Sequence, residues 1–278
     1  MKESRAGMPI RHRYPIQAYS DKGERPMKLG VNLFSVRKFL RSEEDVRKTF
    51  HRIREIGYDV VQLSGAAPLP AETVREISRE NGLPIVCTHV PLDRILHDTD
   101  GVIREHQTYG CPVIGLGYLP DAYRTAAALH ALLEELREPV GKIRRAGLHF
   151  AYHNHAFEFD RLPDAEGCIY DILLRECPDW QFIMDTYWVT YGGETVIPMM
   201  ERIGAGKLTN VHFKDMSRGA DREICACGEG RLDFAAYLPV CETLGCENIL
   251  VEQDNANDRA DPFGELETSY RALRPLVK

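Results

Sequence analysis

From Lys28 onward the chain alternates short, nearly continuous apolar runs with longer stretches in which apolar residues return every three or four positions. The short runs are KLGVNLF (28–34), YDVVQLS (58–64), PIVCTH (84–89), CPVIGLG (111–117), LHFAYHN (148–154), QFIMD (181–185), TNVHFKD (209–215) and NILVEQD (248–254). Apolar on successive residues rather than on alternate ones, they predict strands covered on both faces. The stretches between them predict helices. Ser42 followed by Glu43, Glu44 and Asp45 has the form of a capping box, and Val46, Phe50, Ile53 and Ile56 make a stripe that stops at Gly57. Further helices are expected over 124–145, with Leu129, Leu132, Leu133 and Leu136 inward, and over 71–81, 196–203, 234–244 and 264–276.

Eight strand–helix units in about 250 residues match an α/β fold, a (β/α)8 TIM barrel, built as a single domain over 28–278. An open doubly wound sheet is the alternative. It calls for a glycine-rich phosphate loop after the first strand, where this chain reads NLFSVR, and no G-x-G-x-x-G or P-loop pattern follows any strand. Residues 1–27 are polar and basic and read as a loosely held extension.

Composition narrows the function classes. With 44% hydrophobic and 28% charged residues in 278, the chain reads as a soluble globular protein. Its net charge of −7 disfavours a nucleic-acid partner, because an acidic surface repels phosphate backbones. No run approaches the roughly 18 apolar residues of a membrane span, and nothing near the start resembles a signal peptide. Eight scattered cysteines, some inside expected strands (Cys87, Cys111), fit reduced thiols and a cytoplasmic location. A homo-oligomer is left open.

In a barrel of this kind the chemistry sits where the strands end. Those ends read His89, then His153 and His155, then Asp185, then His212 and Lys214, then Glu252 and Asp254. A lone histidine at a strand end is more often a hydrogen-bonded structural residue, and a lone carboxylate more often caps the next helix. Imidazoles and carboxylates converging on one mouth, however, repel or go unpaired unless a cation lies between them. Nitrogen and oxygen donors without thiolate suit one divalent ion, Mn²⁺, Zn²⁺, Co²⁺ or Mg²⁺, without selecting among them. Cys225 and Cys227 alone make an incomplete zinc site, and Gly228–Gly230 reads as a turn before a helix opening at Asp233.

The segments LGVNLFSVR, THVP, YHNHAFEF, MDTYWV, VHFKDM, GEGRLDF and VEQD, in this order and each at a strand end, resemble the sugar phosphate isomerase/epimerase family of xylose isomerase-like barrels. The resemblance covers about residues 28 to 277. It implies one divalent metal held through Glu, Asp, His and Glu on strands five to eight, of which Asp185, His212 and Glu252 match the last three. On strand five the chain departs from the pattern: His153 takes the place by register, and Glu158 is its rival as fourth ligand. His155 and Lys214 share the faces of His153 and His212, one step nearer the substrate, where a lysine could stabilise an enolate oxygen. Trp188 and Phe34 are candidate walls for a sugar ring, and His89 a candidate substrate contact.

The implied activity is that of a metal-dependent isomerase or epimerase acting next to the carbonyl of a sugar or keto-sugar, through a metal-stabilised enediolate. Glu252, Glu158 and His155 are the candidate bases. The alternative in the same site is a dehydratase of an inosose-like or keto-glycoside substrate. An abasic-site endonuclease, which shares the barrel, needs further metal ligands and a basic face that this chain lacks. A non-catalytic sugar-binding barrel is kept open by the strand-five histidine. Each reading takes a small carbohydrate as its ligand, the endonuclease excepted.

Overall fold

The computed structural model of the chain describes residues 26–277. The polar extension expected over 1–27 lies outside the described residues as far as residue 25, and Met27 is already packed into the core. Within this range the elements run β1 (Lys28–Asn32), α1 (Glu43–Ile56), β2 (Val60–Leu63), α2 (Ala71–Glu80), β3 (Ile85–His89), α3 (Leu92–His97), α4 (Thr99–Tyr109), β4 (Val113–Leu116), α5 (Ala126–Arg145) and β5 (His149–His153). The second half continues with α6 (Ile169–Glu176), β6 (Gln181–Asp185), α7 (Thr186–Tyr191), α8 (Val196–Ile203), β7 (Asn210–Phe213), β8 (Asp215–Met216), β9 (Ile224–Cys225), α9 (Phe234–Leu244), β10 (Asn248–Val251) and α10 (Pro262–Leu273). β1 to β7 and β10 close into one parallel barrel in the order β1-β10-β7-β6-β5-β4-β3-β2. This is a (β/α)8 TIM barrel.

The expected helices form where their stripes and caps lie. Ser42 Oγ accepts the Asp45 N–H, and α1 ends at Gly57 in the left-handed region with φ of 114°, a backbone that an L side chain rarely adopts. Thr125 caps α5, whose Leu129, Leu132 and Leu136 are buried, while Leu133 is half-buried at the edge of the stripe. The strands are shorter at their C-terminal ends than the apolar runs suggest. Leu33 and Phe34 turn into a 3-10 segment, and Lys214 and Glu252 lie just past the last paired residues of β7 and β10. Four helices of modest length, α3, α4, α6 and α7, fall where no stripe is expected, and β8 pairs with β9 as a small antiparallel hairpin over the mouth.

Packing separates into two regions. The large core lies between barrel and helices, with Phe50, Ile53, Phe150, Phe182 and Phe213 among its fully buried members. The lumen holds its own small clusters, Cys87, Val113, Ala151 and Ile183, and Val60, Val86 and Leu250. Alternation along each strand then lifts the next inward residue to the level above. The pairing Asp185↔His212 on β6 and β7 sets those two residues side by side, and His212↔Leu250 on β7 and β10 puts Glu252 two positions beyond the partner of His212.

Gly30 marks how closely the lumen is filled. A Cβ there would meet Val60 Cγ2 at 2.5 Å, Val60 O at 2.7 Å and Leu250 Cδ2 at 2.8 Å. Gly30→Ala is expected to destabilise the fold by about 1–3 kcal/mol through overpacking, read as a lower urea midpoint with an unchanged slope. An unshifted midpoint would show that the lumen yields there.

Candidate metal centre

Four side chains from adjacent strands meet at the C-terminal mouth: His153 from β5, Asp185 from β6, His212 from β7 and Glu252 just after β10. One ligand-capable atom of each lies within 4.8 Å of the others, and all four residues are buried. His153 Nε2 is 3.6 Å from Asp185 Oδ2 and 3.9 Å from Glu252 Oε2, and His212 Nδ1 is 3.8 Å and 2.9 Å from the same two oxygens.

Each of the four residues anchors one polar atom outward and leaves another facing the centre. His212 donates Nε2–H to Gln62 Oε1 at 2.8 Å, which leaves Nδ1 as a lone pair. His153 donates Nδ1–H to the Gly117 carbonyl at 3.3 Å, leaving Nε2 free. Glu252 Oε1 accepts from Asn32 Nδ2 at 2.5 Å, and Asp185 Oδ1 accepts the Trp188 N–H at 3.0 Å. The four inner atoms, His153 Nε2, Asp185 Oδ2, His212 Nδ1 and Glu252 Oε2, have no hydrogen-bond partner. Four buried acceptors facing one another is an arrangement that a cation resolves, and the imidazole–carboxylate donor set suits a divalent one. The outer bonds are those that orient metal ligands and set their tautomers. The residues present therefore fit the group.

Electrostatics agree. Burial, with His212 as its neighbour, holds the His153 imidazole well below its ordinary pKa, so it is neutral and able to ligate. Burial likewise lowers His89, whose Nε2 is unpartnered and whose ring lies 5.0 Å from His153 and 5.7 Å from His212. Gly117 makes room for it, since a Cβ there would stand 2.5 Å from His89 Cγ. His155 is pushed down to about 3 by burial and by His153, and its Nδ1 is also unpartnered. Its ring lies 5.4 Å from Trp188, whose Nε1 lacks a partner as well. Three unpaired polar atoms thus line the space beside the cluster.

Lys214 is 1% exposed, and its Nζ lies 2.9 Å from Asp185 Oδ2, 2.9 Å from Glu252 Oε2 and 3.0 Å from Asp254 Oδ2. The contact with Asp254 is a directed hydrogen bond; the other two are at ion-pair distance without hydrogen-bond alignment, so both ligand oxygens stay free toward the centre. Burial would lower the Lys214 pKa, but Asp185, Asp254 and Glu252 hold it well above its ordinary value. One of its N–H donors is committed to Asp254, and its charge is shared among three carboxylates.

Glu158 lies apart from the cluster. It is fully buried, with Oε1 accepting from Tyr152 OH and Oε2 from the His155 N–H, both at 2.8 Å. Phe34 packs in the loop after β1, with the Arg37 guanidinium 4.3 Å from its ring centre. Cys225 and Cys227 join no metal-capable group among the described residues; Cys227 Sγ instead donates to the Phe213 carbonyl. The turn at Gly228–Gly230 is tied down by the buried Asp215 carboxylate, which accepts the N–H groups of Gly228, Gly230 and Leu232. Sequence reasoning overlooked Asn32 and Gln62, and it gave Asp254 no role beyond its place at a strand end. The signal was there for the first two: a polar residue at an inward position of an otherwise apolar strand.

A family described as the xylose isomerase-like TIM barrel matches residues 50–276. Solved structures with the same fold include a sugar phosphate isomerase/epimerase from Parabacteroides distasonis ATCC 8503, 18% identical, covering 95% of this chain and 100% of its own, with a TM-score of 0.77. A D-allulose 3-epimerase from Methylomonas sp. is 13% identical over 91% of this chain and 99% of its own, with a TM-score of 0.67. The IolI protein, solved with a bound zinc atom, is 14% identical over 90% and 98%, with a TM-score of 0.66. At these identities the likeness is one of fold. No curated protein matches the sequence.

Burial raises the Glu158 pKa from 4.5 to about 7. The folded protein therefore holds this proton more tightly than the unfolded chain. The stability it contributes is full below pH 4.5 and is lost as the pH rises through about 7. At about 1.4 kcal/mol per pKa unit the window is worth about 3 kcal/mol. Glu158→Gln lacks this titration. In urea unfolding at a series of pH values, its stability relative to the parent should rise by that amount across the window, and a constant difference would refute the shift.

Proposed function

The chain belongs to the xylose isomerase-like TIM barrel family, and on that premise we propose that it is a divalent-metal-dependent isomerase or epimerase acting beside the carbonyl of a sugar or keto-sugar. The observation that carries this reading is the convergence of four partnerless acceptor atoms, from His153, Asp185, His212 and Glu252, at the mouth of the barrel. These four residues would hold the ion. When bound, it would supply a Lewis acid for a carbonyl and the hydroxyl next to it, acidifying the C–H between them.

The chain's own groups would do the rest. Glu252 is the best placed of the candidate bases, with its Oε2 at the centre and its Oε1 fixed by Asn32. His155 is the second proton-handling candidate, a half-buried neutral imidazole with a free Nδ1. Glu158 takes no part in proton transfer in this scheme. Both of its oxygens are engaged, and its bond to the His155 N–H fixes the turn that carries His155. Trp188 offers an indole face and an N–H to a sugar ring, and His89 Nε2 offers a hydroxyl partner from the opposite side. Trp188, Tyr187 and Tyr191 pack against one another on the β6 side.

Two measurements test the proposal together. Metal analysis of the purified protein should find a divalent ion, lost on His212→Ala. Incubation with keto-sugars and inososes in deuterated water should give deuterium wash-in beside the carbonyl with the carbon skeleton retained. Glu252→Gln should lower that exchange by about 10²–10⁴-fold. Release of water from the substrate would point to a dehydratase instead. No exchange on any of these substrates would end the case for carbonyl-adjacent proton transfer.

A further inference from the structure

We propose that Lys214, held by Asp254, is a built-in counter-ion that sets how tightly the site binds its divalent cation. The proposal rests on the reading of His153, Asp185, His212 and Glu252 as a metal site, and it concerns a lysine that none of those four roles uses.

The geometry is specific. A lysine ammonium 1% exposed is placed within 3.0 Å of three carboxylate oxygens, from Asp185 at the end of β6 and from Glu252 and Asp254 after β10. Its hydrogen bond goes to Asp254, the carboxylate outside the cluster, while it lies against the ligand oxygens without claiming their lone pairs. The Trp188 ring covers it, with Nζ 5.3 Å from the ring centre. Beside it, Arg37 bonds the Asp254 main-chain carbonyl and not its carboxylate. Among the described residues, then, the cluster faces one cation, and that cation is fixed from behind by a third acid.

Charge explains the arrangement. With neutral histidines, Asp185, Glu252 and Asp254 bring three negative charges and Lys214 one positive. The residual charge, two negatives, is opposite in sign and equal in size to that of a divalent cation. Without Lys214 the site would be more negative and would grip the ion harder; without the Asp254 carboxylate it would be less negative and grip it less. A cavity that must bind a substrate oxygen at the ion, and release it, gains from a ligand field softened in this way.

The test is a charge cycle on the full chain, with Mn²⁺ titrated calorimetrically at pH 8. Lys214→Met should bind Mn²⁺ about tenfold or more tightly than the parent, and Asp254→Asn about tenfold or more weakly. The double variant, whose formal charge equals the parent's, should return to within about threefold of it. A purely structural lysine gives the opposite pattern: all three variants bind more weakly and the double variant most weakly of all. That result would overturn the proposal while leaving the metal site standing, since the parent would still bind. If the parent binds no Mn²⁺, Co²⁺ or Zn²⁺, the site reading itself fails. Should Lys214→Met not fold, Lys214→Gln, which keeps a polar head beside Asp254, takes its place: tighter binding than the parent supports the counter-ion, and equal or weaker binding refutes it.

Discussion

Two carboxylates buried side by side, Asp185 and Glu252, impose the constraint around which the mouth of this barrel is arranged. Removed from water, each needs compensation, and together they need it more. The protein answers from two directions. On the solvent-remote side, Asn32 and the Trp188 main-chain N–H take one oxygen of each. On the flank, Lys214 places its charge against both inner oxygens while hydrogen-bonding to Asp254. What remains uncompensated points to the middle, between two imidazoles already fixed as acceptors by Gln62 and Gly117. The proposed ion belongs where those four lone pairs meet.

Such a site is cheap for this fold to build. Closure of eight parallel strands holds neighbours in step, and period-two alternation sends every second side chain into the lumen. Below three of the four ligands the same positions are apolar: Ala151 beneath His153, Ile183 beneath Asp185 and Leu250 beneath Glu252, while Asn210 lies beneath His212. On those three strands one change of residue type at the top converts packed lumen into polar site. Asp185 shows how little chain is needed, since it ends β6, caps α7 through Oδ1 and presents Oδ2 to the centre.

This economy also explains what could be read from the sequence. The eight strands were legible because both faces are covered, and the cluster residues because each interrupts an apolar run at its end. The long amphipathic helices α1 and α5 were legible from stripe and cap. The helices α3 and α7, of six residues each, were not, for fewer than two turns carry too little periodicity; α4 and α6, of eleven and eight residues, were missed as well, although α8, also of eight, was read from its stripe. Partnerships across strands were hidden as well. Nothing local in VHFKDM or VEQD states that Lys214 reaches over to Asp254, or that three acids surround its ammonium. Glu158 was hidden for a related reason: its place depends on Tyr152, an outward residue of β5 that one would assign to packing.

That outward tyrosine bears on the choice between His153 and Glu158 as the proposed fourth ligand. A carboxylate at position 158 sits in a 3-10 turn, beyond the strand, with its side chain drawn back into the protein wall by Tyr152 OH and the His155 N–H. Its reach is used in shaping the loop. His153 stays on the strand, paired with Ile183, and its Nε2 reaches to 3.6 Å from Asp185 Oδ2. Exchanging a carboxylate for an imidazole at this level removes one negative charge from the cluster. The softening that Lys214 brings by adding a positive charge and the softening that His153 brings by omitting a negative one act in the same direction. Both favour an ion that is held by nitrogen as well as oxygen and that keeps enough residual charge to polarise a carbonyl.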